Sequence, residues 1–252
     1  MWSSLEIPDS CKLNKPVFKK LFLDNGTLDA ADRKTLGEDV IKVRWLYTLK
    51  PSTINIAPYV DQVREYPELA VLQVELSNAN RLNRIANFIN RSIPYPLVLI
   101  FTLEADHATS VAISLADKRI NQADNEKWVL EDSVQSGWIS LEGQDQAQAE
   151  FLASLKVTEL PFKDFWSFYQ ALIARVIASN CAVHSGSFKL DSNRELDGNS
   201  RLERLRELEK LDAQRIEITN KLKKEKQMGK QVELNIKVKK ISDRIDEIKA
   251  SL

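Results

Sequence analysis

Residues 223–252 read "KKEKQMGKQVELNIKVKKISDRIDEIKASL", and their apolar positions are not scattered. Leu234, Val238, Ile241, Ile245, Ile248 and Leu252 follow one another at steps of four, three, four, three and four. That is the seam of a heptad repeat, the pattern that keeps one stripe of a helix facing a partner helix. On the other side of the lysines, Leu208, Leu211, Ile218 and Leu222 form a second seam, interrupted by Arg215. No proline follows Ser200, and Gly229 is the only glycine there. Two helices joined near "QMGK" and folded back as an antiparallel coiled-coil hairpin satisfy both seams within one chain. Each arm spans about 22 residues, or about 33 Å at the helical rise. The competing arrangement is one long helix that dimerises. An interior glycine costs a helix only about 1 kcal/mol, so Gly229 does not exclude it.

The lysines beside the turn call for a reason of their own. Lys221, Lys223, Lys224, Lys226, Lys230, Lys237, Lys239 and Lys240 face only Glu225 and Glu233, a net of +6 over residues 221–240. Lysine is a good helix former and keeps an exposed end soluble, and that plain account needs no ligand. It does not require one sign of charge to dominate. The sharper reading is a contact with nucleic-acid phosphates or with a partner protein at the tip of the hairpin.

Charge is polarised along the whole chain. Lys+Arg and Asp+Glu both total 36 in 252 residues, yet residues 201–252 carry +5 and the remainder −5. The stretch "GSFKLDSNRELDGNS" has little apolar content and several helix breakers, which marks a polar linker. The expected organisation is therefore a globular body over residues 1–183, a linker over 184–200 and the hairpin over 201–252.

The body reads as α+β. "ELAVLQVELS" (68–77), "PYPLVLIFTLE" (94–104) and "ATSVAISLADK" (108–118) are apolar runs of strand length. "NANRLNRIANFINRSI" between the first two places Leu82, Ile85, Phe88, Ile89 and Ile93 at helical spacing, with Asn78 or Asn80 as the expected cap. "VIKVRWLYTL" is a further strand, or a helix running into a strand, and "EKWVLED" and "GWISLE" are two short strands around Gly137. Pro16 in "NKPVFKKLF" suits the first turn of a short helix, Thr27 the cap of another, and "KPSTINIAP" a loop. "LPFKDFWSFYQALIARVIAS" is a broad amphipathic helix. The fold class expected is a mixed or antiparallel sheet with packed helices, followed by the hairpin.

A catalytic site is hard to find. The two histidines are His107, in a turn, and His184, one helical turn after Cys181 in "CAVH". A Cys–His pair can make an activated thiolate, but it equally marks the end of a helix with a packed cysteine. No glycine-rich phosphate loop and no paired metal-ligand spacing occurs, so neither a metal nor another cofactor is expected. Glu65, Glu68 and Glu75 flank a strand, and Asp117 and Lys118 are adjacent, hence on opposite faces. These read as solvated strand ends. Trp45, Tyr47, Trp128 and Trp138 can stack on bases, although core or cross-strand packing is the commoner role. Two cysteines suit a reducing compartment, "MWSSLEIPDSCKLNK" lacks a leader pattern, and no apolar run reaches membrane length; the expectation is a cytoplasmic protein.

Four ordered stretches, "NKPVFKKLFLDNGTLDAADRKTL", "DVIKVRWLYTLKPSTINI", "INRSIPYPLVLIF" and "KEKQMGKQVELNIKVKK", resemble the bacterial and archaeal family catalogued as domain of unknown function 4391. Thr53–Asn55, Ile93–Pro96 and Val232–Asn235 match best, while Asn90-Arg91 departs from a more acidic "ID-x-x-IP" form. The resemblance implies company rather than a reaction, since such genes neighbour helicases and DNA methyltransferases in defence-type clusters. It implies a non-catalytic accessory protein that binds a helicase-like ATPase or a methyltransferase, with the tip touching nucleic acid or that partner. The alternative is a metal-dependent nucleic-acid hydrolase with carboxylates around the sheet.

Overall fold

The computed structural model describes residues 5–25, 28–105, 108–121, 124–190 and 197–252. They fall into two compact units, divided between Val176 and Ile177. The division lies within one helix, a few residues before the boundary at 183 expected from composition. Thr27, His107 and residues 191–196 of the expected linker lie outside the described residues.

The first unit is built on a seven-stranded mixed sheet. Its strands are β1 (Lys12–Val17), β2 (Val40–Leu49), β5 (Leu69–Leu76), β6 (Leu97–Ala105), β7 (Ala108–Asn121), β8 (Asp124–Gln135) and β9 (Ile139–Ser140). The order is β1-β2-β5-β6-β7-β8, with β9 also pairing with β7. Among the described strands of this sheet only β5 and β6 pair parallel, and helix α4 (Leu82–Ser92) crosses between them. A separate two-stranded ribbon, β3 (Tyr59–Val60) with β4 (Glu65–Tyr66), is tied to β7 by the Ile120 amide, which donates to the Val63 carbonyl at 2.7 Å.

Apolar residues alternate to serve two layers. Leu72, Val74, Leu99 and Phe101 belong to a core with Phe22, Leu36, Ile85, Phe88 and Ile89. These come from α1 (Lys19–Asn25), α2 (Ala30–Glu38) and α4. Val71, Val98, Ile100, Ile113 and Leu115, on the opposite face, meet Leu155, Val157, Phe168 and Leu172. That second layer includes α5 (Gln146–Ser154) and the first part of α6 (Phe165–Ser185). Burial on both faces explains why the central strands are almost continuously apolar.

Several local expectations change. Pro16 sits in β1 opposite Arg44, not in a helix, and α1 starts only at Lys19. β1 is an edge strand, where a missing N–H breaks no ladder. Helix α2 is capped by Asp29, whose carboxylate accepts from the Asp32 amide at 2.6 Å. Helix α4 starts from Arg81 in the left-handed region at φ 59°, without a side-chain cap. Asn78 instead accepts from the Asn80 amide in the preceding turn. "PSTI" is one helical turn, α3 (Pro51–Ile54), because Thr53 Oγ1 accepts from the Lys50 amide and Asn55 ends it at φ 57°.

The second unit holds the end of α6 and an antiparallel pair, α7 (Asp197–Lys224) and α8 (Met228–Ala250). The hairpin thus forms within one chain. Its connection is Glu225 to Gln227, slightly before the "QMGK" turn expected from the sequence, and Gly229 lies inside α8.

Candidate nucleic-acid interface

The hairpin is pinned at its open end. Arg201 donates to the Leu252 carbonyl at 2.8 Å and Arg204 to the Ser251 carbonyl at 2.7 Å. Arg244 donates to Glu207 at 2.9 Å, tying α8 to α7. Near this end Leu205, Leu208, Ile245 and Ile248 are buried. Leu211, Ile218, Leu222, Leu234, Val238, Ile241 and Leu252 are half-buried. Two helices cover only one side of a seam, so the exposure rises toward the turn. Arg215, which interrupts the repeat, is half-buried and paired with Asp212 at 2.7 Å.

The turn itself is built by Glu225. Its carboxylate accepts from the backbone amides of Gln227 at 2.9 Å and Lys226 at 2.8 Å. Those two bonds, that of Gln227 first, hold the acid below the ordinary glutamate range. Gln231 donates from α8 to the Glu225 carbonyl at 2.7 Å, closing the turn. Lys221 pairs with Glu217 at 2.6 Å. Lys223, Lys224, Lys226, Lys230, Lys237, Lys239 and Lys240 are exposed, and among the described residues none of them forms an ion pair.

Helix electrostatics explains part of this set. Lys221, Lys223 and Lys224 occupy the last turn of α7, where cations offset the partial negative charge of the helix end. Lys230 is in the first turn of α8, at the positive end of that helix. A cation so placed is disfavoured by about 0.3–1 kcal/mol, so helix stability does not account for it.

Elsewhere, Asp117 and Lys118 point to opposite layers as expected, but both are buried and neither is a solvated strand end. Asp117 accepts from Tyr66 Oη at 2.9 Å and from Arg64 at 3.0 Å. Arg64 also reaches Glu131 at 2.6 Å and lies 4.6 Å from the centre of the Trp166 ring. Lys118 Nζ donates to the Ile93 and Tyr95 carbonyls, each at 2.6 Å. Burial pushes its ammonium down to about 7. The sequence offered one signal for both networks, a charged pair ending an apolar strand. Their partners are 23 to 53 residues away and were not legible.

The other candidates do not assemble into a site. Cys181 is buried, and burial pushes its thiol up, against activation as a thiolate. Glu65 is exposed, Glu68 pairs with Lys50 at 3.5 Å, and Glu75 lies opposite Lys42. Among the described residues no three His, Cys, Asp or Glu side chains come together as a metal-binding group. Trp45 donates its indole N–H to Thr48 at 2.9 Å and packs on Tyr95. Trp138 packs against the core, while Tyr47 and Trp128 are half-buried. Asn90 is buried and folds its amide back onto the Ala86 carbonyl. Arg91 pairs with the buried Asp32 at 2.8 Å.

Compared with known proteins, the chain matches the family described as "Domain of unknown function (DUF4391)" over residues 5–245. No curated protein and no solved structure matches it. The matched span takes in the sheet and most of the helical hairpin, and the chain belongs to the DUF4391 family.

Proposed function

We propose that the protein is a non-catalytic accessory factor whose hairpin tip holds a nucleic-acid backbone. It would work beside a larger nucleic-acid machine such as a helicase-like ATPase or a methyltransferase. The observation that carries this reading is the set of seven exposed lysines without ion pairs around a turn whose one acid is locked into the backbone. Lysine supplies point charge without a fork for base edges, so the contact is to phosphate and independent of sequence. The organisation into a sheet-based unit and a separate helical unit suits a binding module.

The test is fluorescence anisotropy with a labelled 20-base-pair duplex and a 20-nucleotide single strand at several salt concentrations. Engagement of four lysines gives a log–log salt slope of about −3.6 on duplex DNA. Changing Lys223, Lys224, Lys226 and Lys230 to Glu should abolish binding and leave the melting temperature nearly intact. If the parent binds neither strand form at low salt, or the variant binds as well as the parent, the tip is no nucleic-acid interface.

A further inference from the structure

Edge strand β1 and helix α1 enclose a groove of about 890 Å³ with the loop after α4. Leu13, Val17, Phe18, Leu21, Trp45 and Tyr95 line it. Phe18 is 74% exposed, and Leu13, Leu21 and Tyr95 are exposed beside it. Large apolar side chains gathered in one open concavity mark a contact surface more often than chance exposure. The far wall is fixed from beneath, because Lys118 holds the Ile93 and Tyr95 carbonyls at 2.6 Å.

The rim is basic. Residues 12–23 contain Lys12, Lys15, Lys19 and Lys20 and no acid. Lys15 and Lys20 line the groove, where Asp24 is the only acid. Among the described residues Lys12, Lys15 and Lys20 have no ion pair, and Lys19 only approaches the Gly37 carbonyl at 3.4 Å. This cationic edge lies in a stretch of chain, residues 1–200, that is acidic overall. An occupant must therefore combine apolar side chains with negative charge.

The backbone argues for how that occupant is held. β1 bears Pro16, an irregular pairing between Lys12 and Lys15, and Asn14 at φ 49°. Proline, bulges and lysines are the devices by which sheet edges refuse an added strand. Recognition then runs through side chains, as when an amphipathic helix lays its apolar face into a groove. Nucleic acid fits less well, because only two lysines, Lys15 and Lys20, line the groove beside Asp24, little charge for a phosphate backbone.

We propose that this groove docks a short amphipathic helix of a protein partner, acidic on its polar face. The surface is independent of the hairpin tip. The test pans a displayed library of random 16-residue peptides against the full chain, with Phe18→Ser/Lys15→Glu/Lys20→Glu as counter-target. These positions are exposed, and thermal melting checks that the variant folds like its parent. Groove-dependent peptides should carry Leu, Ile or Phe at helical spacing with Asp or Glu between them. Synthesised, the best should bind the parent at least tenfold tighter than the variant, and tighter than its own Glu→Lys counterpart. They should also keep their affinity when the four tip lysines are changed to Glu. The proposal is overturned if no groove-dependent peptide emerges, if those that emerge lack acidic residues or helical spacing, or if (dT)20 displaces them competitively. It is equally overturned if sedimentation shows a dimer of this chain that the groove variant abolishes.

Discussion

Replacing Lys118 by methionine should produce a stability defect that grows with pH. In the folded chain burial lowers the ammonium to about 7, against 10.5 for an ordinary lysine. Between those values the unfolded chain keeps a proton that the folded chain has released. Stability therefore rises with pH across this window, by at most about 1.4 kcal/mol per pH unit. It is lost again as pH falls through 7. The two carbonyl acceptors favour the ammonium and oppose the shift, so about 2 kcal/mol between pH 7.5 and 9.5 is a realistic gain. Methionine carries no proton, and that gain disappears. At pH 7.5 the loss of two buried hydrogen bonds is largely offset because the variant no longer has to release the proton that the unfolded lysine holds, and it should nearly match the parent. At pH 9.5 the parent keeps both bonds with an uncharged amine, and the variant should fall behind by about 2–4 kcal/mol. Higher pH is avoided, because burial raises the Tyr66 and Tyr169 phenols and unfolding there would release their protons instead. Urea unfolding followed by tryptophan fluorescence reads the right unit, since Trp2, Trp45, Trp128, Trp138 and Trp166 all precede residue 177. Groups common to both proteins cancel in the difference. A gap constant to within about 0.5 kcal/mol from pH 7.5 to 9.5 would refute the reasoning.

Three further outcomes are expected. Asp32→Ala should cost about 2–3 kcal/mol in urea unfolding, because the buried carboxylate ties Arg84 and Arg91 of α4 to α2; a cost under about 0.5 kcal/mol would show those pairs to be idle. Ile245→Asp should cost several kcal/mol and remove far-UV helical signal from helices of 28 and 23 residues, whereas the half-buried Ile241→Asp should do less; equal effects would contradict the burial gradient along the seam. Glu225→Ala should loosen the turn, seen as a lower melting temperature of the hairpin, while tightening low-salt DNA binding by removing the tip's acid; weaker binding in this variant would count against the phosphate contact.

What could be read from the sequence depended on how far each structural cause lies along the chain. The central strands and the hairpin were legible because their signals are local: "LAVL" and "LVLIF" are apolar on both faces, and the repeat from Leu234 to Leu252 counts out its own seam. Pro16 was misassigned because a proline is equally at home in a first helical turn and on a sheet edge, and only β2 as a neighbour decides between them. Lys118 and Asp117 read as solvated because adjacent charges usually are. Their burial is made possible by Ile93 and Tyr95 on one side and by Arg64 and Tyr66 on the other, brought in by the fold. The lysines of the turn were visible as composition. That Glu225 builds the turn by accepting from the Lys226 and Gln227 amides was not.

The parallel pairing of β5 with β6 sets an order of events for the folding chain. Antiparallel neighbours such as β6 and β7 are close in sequence and can pair early, but β5 and β6 meet only after the segment bearing α4 has crossed over. Closing that longer loop costs entropy before any ladder bond repays it. Ile85, Phe88 and Ile89, buried against Leu72, Val74 and Leu99, supply the contacts that make the crossing favourable. Truncating these helix residues should therefore slow refolding more than it speeds unfolding.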